Sequence, residues 1–159
     1  MKHVVLTLVL IRRGDEILLG LKKTGFGAGV WNGPGGKVEA GESIESGARR
    51  EVREEMGIDV GELKKVGIVT CEYRDIEDEK DMEVHIFETQ EYFGEPIETE
   101  EMRPRWFQVS KYPFDKAWPD DQFWFPEYLK GKPFKGRFRF HGLQKIVEHE
   151  IGEVPLGTL

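Results

Sequence analysis

The sequence predicts a single α+β domain, and three observations carry that expectation. Strand-like runs are spread from residue 3 to residue 140 without a regular strand–helix alternation. Only two stretches read as helix, at about 43–56 and 120–130. A chain of 159 residues with 38% hydrophobic content suits one core of ordinary size, and no linker or internal repeat divides it.

Residues 3–12, HVVLTLVLIR, are β-branched and leucine-rich over the length of a buried strand. Arg13-Gly14-Asp15 then supplies turn chemistry before a second strand, EILLGLKK. Residues 23–41 have too little periodicity for an element and predict a long, functional loop. The first helix has Ser43 as N-cap, Glu45 near the positive end of its dipole and Gly57 to end it in the left-handed conformation. Strands are expected at 63–73, 82–92 and 103–109, with the acidic stretch 75–81 as a hairpin connection. The second helix has Asp120 as N-cap and Gly131 as its stop, with Pro126 tolerated inside. Phe134, Gly136, Phe138 and Phe140 alternate with Lys135, Arg137 and Arg139, the period of a half-buried strand, which is read here as an edge strand.

Composition narrows the function classes. Eight of the 19 glycines fall between Gly20 and Gly41, a loop wanting unusual backbone angles. The formal net charge of −7 hides an uneven distribution. Residues 72–101 hold 13 Asp or Glu against Arg74 and Lys80, whereas 130–147 hold six Lys or Arg and no acid. A whole-protein duplex-binding surface is disfavoured, and no stable nucleic-acid partner is expected. The single Cys71 excludes an intramolecular disulfide and points to a reducing, cytoplasmic setting. The opening apolar run is followed by Arg12 and Arg13 where a cleavage site would stand, so it reads as strand and not as a signal peptide. No run approaches the ~20 apolar residues of a membrane span, and a monomer is the simplest expectation.

The charges of the first helix are sorted by face. Ile44, Ala48, Val52 and Met56 form one apolar stripe, Glu51, Glu54 and Glu55 lie in a band beside it, and Arg49, Arg50 and Arg53 fall roughly opposite. Three carboxylates at i, i+3 and i+4 repel by about 0.2–0.5 kcal/mol per pair. Solvated acids belong opposite the stripe, yet these point where the glycine loop must pass. A hard divalent cation with phosphate ligands would offset the repulsion.

Residues 36–58, GKVEAGESIESGARREVREEMGI, resemble the Nudix hydrolase family at all nine specified positions of its box: Gly36, Glu42, Arg50, Glu51, Val52, Glu54, Glu55, Gly57 and Ile58. The resemblance implies an α/β/α sandwich around a central mixed sheet and hydrolysis of a nucleoside diphosphate linked to another group. It implies Glu51, Glu54 and Glu55 as Mg²⁺ ligands, with Mn²⁺ as a substitute, and Arg50 as the residue that orients them. A carbonyl of Gly35 or Gly36 would complete the site, and Glu101 joins it as a further ligand or base. Gly35, Gly36 and Lys37 count with the substrate-binding residues. For Glu42 a structural role bracing the loop stands equally.

The segments around Thr7, Lys22–Gly33, Glu101–Phe107 and Trp118–Pro126 extend the resemblance to the branch of the family that converts oxidised purine nucleoside triphosphates, 8-oxo-dGTP and 2-hydroxy-dATP, to monophosphate and pyrophosphate. By that likeness Thr7, Lys22, Asn32, Trp118, Asp120 and Asp121 line a base pocket. Trp118 offers a stacking face and Asn32 both a donor and an acceptor. Two adjacent carboxylates in an apolar pocket resist joint ionisation, so one carries a proton. Blander readings stand beside these: Asp120 as a helix cap, Trp118 as core, Asn32-Gly33 as a turn, Lys22 as a solvated strand end, Thr7 as a satisfied hydroxyl. Pro34 and Cys71 stand where the branch has aromatic residues, which reshapes the expected pocket. A Nudix enzyme for ADP-ribose or a dinucleotide, and a silent nucleotide- or RNA-binding module, are the competing functions.

Overall fold

A computed structural model describes residues 2–75 and 80–159. Its frame is a mixed sheet. β1 (Lys2–Arg13) turns at Gly14 into β2 (Glu16–Lys22), and both were expected as strands. A two-residue β3 (Trp31–Asn32) interrupts the glycine loop, and α1 (Ile44–Met56) follows. β4 (Asp59–Val60), β5 (Lys64–Tyr73), β6 (Lys80–Thr89), β7 (Tyr92–Phe93) and β8 (Met102–Gln108) come next, then α2 (Asp121–Leu129), β9 (Phe134–His141) and β10 (Lys145–Glu153). Among the described residues the main sheet runs β10-β9-β5-β6-β1-β2-β3, with β8 also on β2, while β4 and β7 form a small second sheet. The β1–β6 and β5–β9 pairs are parallel and the others antiparallel, so the sheet is mixed. The expected connection at 75–81 lies for residues 76–79 outside the described residues.

The two helices take opposite faces because each has one apolar side to bury. Ala48, Val52 and Met56 of α1 pack on Val9, Ile11, Leu18 and Phe87. Trp124, Phe125 and Tyr128 of α2 join Leu8, Leu10, Val69, Ile86, Phe134 and Phe138 on the other face. Strand residues of alternate parity feed the two cores, and the result is the α/β/α sandwich. Ser43 caps α1 by accepting from the Ser46 amide at 3.1 Å, and Gly57, at φ 68°, closes it. Pro126 sits inside α2 as expected, and Gly131 ends the turn after it. No helix among the described residues is long and apolar enough to cross a membrane.

Two expectations change. The basic strand β9 is interior rather than an edge, because β10 covers its outer side. β10 gave no sequence signal: a register shift between Ile146 and Glu148 breaks its alternation, and most of its side chains are exposed. The acidic and basic tracts also meet. Glu72, nearly buried, accepts from Arg137 at 3.1 Å and Arg74 at 3.2 Å, with Arg139 at 3.8 Å, at the end of the parallel β5–β9 pair.

Candidate active site

The glycine loop works in two ways. Gly25, Gly27, Gly29 and Gly41 have positive φ, as the excess of glycine suggested, but Gly35 and Gly36 do not. These two serve close approach instead. A Cβ on Gly35 would stand 1.9 Å from the Thr7 carbonyl oxygen, and one on Gly36 would stand 2.6 Å from the Glu51 carboxyl carbon. The loop can therefore lie along β1, where the Thr7 amide donates to the Gly36 carbonyl and the Val9 amide to the Pro34 carbonyl, each at 2.8 Å. That contact brings the loop over the carboxylates of α1.

Glu51 and Glu55, one helical turn apart, meet Glu101 from the segment just before β8, and one carboxylate oxygen from each lies within 4.8 Å of the others. Glu55 is buried, and its Oε1 accepts from the Gly35 amide at 2.8 Å. Burial pushes the Glu55 carboxyl up to about 7; the Gly35 amide opposes the rise, and the nearby charge of Glu51 adds to it. Burial also raises Glu51 above the ordinary carboxylate range, against the pull of Arg50. Three oxygen donors held together at a cost in repulsion and desolvation are the donor set of a hard divalent cation. These residues fit one.

Arg50 locks this arrangement. Its Nε and Nη2 donate to the two oxygens of Glu42 at 2.8 and 2.9 Å, Nη1 donates to Glu51 at 2.9 Å and to Glu54 at 3.2 Å, and Nη2 also reaches the Lys37 carbonyl at 3.0 Å. The long side chain thus turns from the face where its Cα sits toward the carboxylates, which a helical wheel does not show. Hydrogen bonding from Arg50, helped by the Glu39 amide, holds the Glu42 carboxyl down at about 2. Glu42 therefore braces the loop through Arg50. Glu54, the third of the expected trio, is exposed and rests on Arg50, beside the close cluster of Glu51, Glu55 and Glu101. At i+3 from Glu51 it turns toward solvent, whereas Glu55 at i+4 stays beside the core edge. The Gly36 carbonyl is committed to Thr7, and Lys37 is exposed, with its carbonyl on Arg50.

A cavity of about 150 Å³ opens beside this cluster. Thr7, Lys22, Asn32, Cys71, Trp118, Asp120 and Asp121 line it, and so do Gly35, Gly36 and Glu55, so one cavity joins the buried aspartates to the carboxylate cluster. Every residue expected in the base pocket is brought together there. Cys71 lines it as well; Pro34 instead ties the loop to β1 through its carbonyl. The Thr7 hydroxyl lies 3.4 Å from the Gly36 amide and carbonyl. Asn32 uses Oδ1 to accept from the Gly33 amide at 3.0 Å, a turn contact of the kind its sequence suggested.

The Asp120 carboxylate makes no helix-cap bond, contrary to the capping reading; its Oδ2 accepts from Trp124 Nε1 at 3.1 Å. Asp121 Oδ2 pairs with the Tyr112 hydroxyl at 2.6 Å. Burial pushes Asp120 up to about 6 and Asp121 well above the carboxylate range, with the charge of Asp120 adding to the latter. Phe26 stacks on Trp118 with ring centroids 5.0 Å apart, which leaves that indole at the cavity wall rather than in the core. Sequence reasoning missed Tyr112, Trp124 and Phe26. The i, i+4 spacing of Asp120 and Trp124 is a usable signal for one of them, whereas Tyr112 comes from a 3-10 turn with no such mark.

A match to the NUDIX domain over residues 1–128, together with this loop, helix and cluster, shows that the chain belongs to the Nudix family. Members of that family generally use a divalent metal, in keeping with the donor set. Within it the chain is 51% identical over 150 residues to the oxidized purine nucleoside triphosphate hydrolase of Danio rerio, covering 94% of this chain and 95% of that protein. It is 49% identical over 148 residues to the Mus musculus protein of the same name, covering 93% and 94%. The fold is shared with a MutT protein from Bacillus halodurans, at a TM-score of 0.81 and 24% identity over 96% of this chain and 99% of that one.

Proposed function

We propose that this protein hydrolyses oxidised purine nucleoside triphosphates, such as 8-oxo-dGTP and 2-hydroxy-dATP, to the monophosphate and pyrophosphate, with Mg²⁺ as its cation and Mn²⁺ as a substitute. It would act as a monomer on the cytoplasmic nucleotide pool. The observation that carries the reading is a single cavity with a buried aspartate pair and a stacking indole on its walls, continuous with a carboxylate cluster. The near-full-length likeness to two enzymes named for that activity supports it.

In this reading Glu51, Glu55 and Glu101 hold the cation, with Arg50 and Glu42 fixing Glu51 in place. A cation held there would supply charge neutralisation for the phosphates and a more acidic water. Trp118 stacks on the purine, Asn32 and the Asp120–Asp121 pair meet its edge, and Thr7 and Lys22 line the same base pocket. Water adds at phosphorus, the α–β phosphoanhydride breaks, and a carboxylate of the cluster accepts the water's proton. Intact Glu51, Glu55 and Glu101 weigh against a silent binding module.

The test is incubation with 8-oxo-dGTP, 2-hydroxy-dATP, dGTP and dATP, with Mg²⁺ and with chelator. Mg²⁺-dependent pyrophosphate release favouring the oxidised purines is the expected result. Failure on all four triphosphates, or faster turnover of ADP-ribose, would overturn the substrate assignment.

A further inference from the structure

We infer that Tyr112 is a specificity-determining positioning residue, whose phenol sets the pattern of donors and acceptors that the Asp120–Asp121 pair presents to a purine. The inference rests on the substrate reading above and goes beyond it by naming a residue behind the cavity wall. Tyr112 is buried and is not among the cavity's lining residues. It acts through Asp121.

Each aspartate has one oxygen held by the scaffold: Asp120 Oδ2 by Trp124 and Asp121 Oδ2 by Tyr112. The Asp120 amide also reaches its own carboxylate and Trp124 also reaches Asp121; in this proposal the Oδ1 atoms face the ligand. The two scaffold partners differ in kind, because an indole N–H only donates whereas a phenol both donates and accepts. Asp120 Oδ2 must therefore remain an acceptor, and any proton on Asp120 sits on Oδ1. A proton on Asp121 has two places. On Oδ1 it makes the pair a donor beside an acceptor; on Oδ2, donated to the Tyr112 oxygen, it leaves both Oδ1 atoms as acceptors.

Adjacent buried carboxylates share protons, so the pattern shown to the base is chosen among these states. A guanine-type edge offers neighbouring N–H donors, while an adenine-type edge offers one donor beside a ring acceptor. The phenol gives this site a way to serve the first that the indole does not. Its donor form stabilises an ionised Asp121. The other ionisable groups around the pair are the Cys71 thiol and Tyr73 hydroxyl of β5, which burial keeps neutral, and Lys22 and Glu55 on the cavity wall.

Steady-state kinetics of Tyr112→Phe on 8-oxo-dGTP and 2-hydroxy-dATP, with saturating Mg²⁺ across pH 5 to 9, test this. The ring keeps its packing on Phe125, 4.2 Å away between centroids. The ratio of the two kcat/KM values should change about tenfold or more, mainly through KM, since a lost hydrogen bond in a reading site is felt by one substrate more than the other. The alkaline limb of the kcat/KM profile, where the last proton of the pair leaves, should move to higher pH. Phe125→Leu disturbs the same packing and keeps the hydrogen bond, so it should leave the ratio within about twofold. Should the phenylalanine variant not fold, 3-fluorotyrosine at position 112, a stronger donor, should move the alkaline limb to lower pH. An unchanged ratio with an unmoved alkaline limb, or the same ratio change in Phe125→Leu, would overturn the role of Tyr112. A wild-type protein inactive on both substrates would instead overturn the substrate reading.

Discussion

Glu55 carries opposite demands for stability and for chemistry. Its folded carboxyl titrates near 7 against an ordinary 4.5, chiefly because it is buried. Between those two values the unfolded chain has released its proton and the folded one has kept it. Metal-free stability therefore falls as pH rises through that window, by on the order of 3 kcal/mol from this group. Glu55→Gln keeps an acceptor for the Gly35 amide and removes the charge. It should raise the Tm of the chelated protein at pH 8 while lowering metal-dependent turnover by 100-fold or more. Equal melting of the two proteins at pH 8 would contradict the burial argument. The loop glycines give a second contrast. Gly36→Ala meets the flexible end of Glu51, so it should weaken metal activation with little change in stability. Gly35→Ala meets backbone, and should cost about 1–3 kcal/mol in urea unfolding.

At the scale of elements, α1 was the most legible part of the chain. Its caps, apolar stripe and acidic band all stand in the sequence, because each depends on spacing within one helix. What spacing within the helix did not contain is Glu101, which is expected only through the resemblance and arrives from before β8, and the turn of Glu54 out to Arg50. The base pocket was legible only through resemblance, since Thr7, Lys22, Cys71 and Asp120 come from four separate elements or their ends. Arg50 ties loop to helix by a two-toothed contact that a lysine cannot reproduce. Arg50→Lys should therefore lower kcat/KM for the triphosphate by about tenfold or more, while Ser43→Ala costs about 1 kcal/mol of stability and leaves turnover per folded molecule unchanged.

Across the whole molecule, the opposed charge tracts prove to be one structural device. Glu72 gathers Arg74, Arg137 and Arg139 where β5 and β9 run side by side. The arginines are partly exposed while Glu72 is buried; Arg74 also pairs with Asp81 and Arg139 with Glu148, so removal of the carboxylate deprives Arg137 most. Glu72→Ala should destabilise the protein by on the order of 2 kcal/mol in urea unfolding, and Glu72→Gln by less. A strand reading alone could not see this pairing, because its partners lie about 65 residues apart.

β10 gives the molecule's surface chemistry a further consequence. It ends the sheet on that side, so its outer backbone groups are available to any extended chain that comes alongside. What discourages such growth is the exposed charge of Glu148 and Glu150 on one face, the first of them paired with Arg139, and the bulge that follows Ile146. That protection is electrostatic in part. Glu148→Ala with Glu150→Ala should therefore let strand-by-strand association appear in light scattering, whereas Glu148→Lys with Glu150→Lys should keep it suppressed.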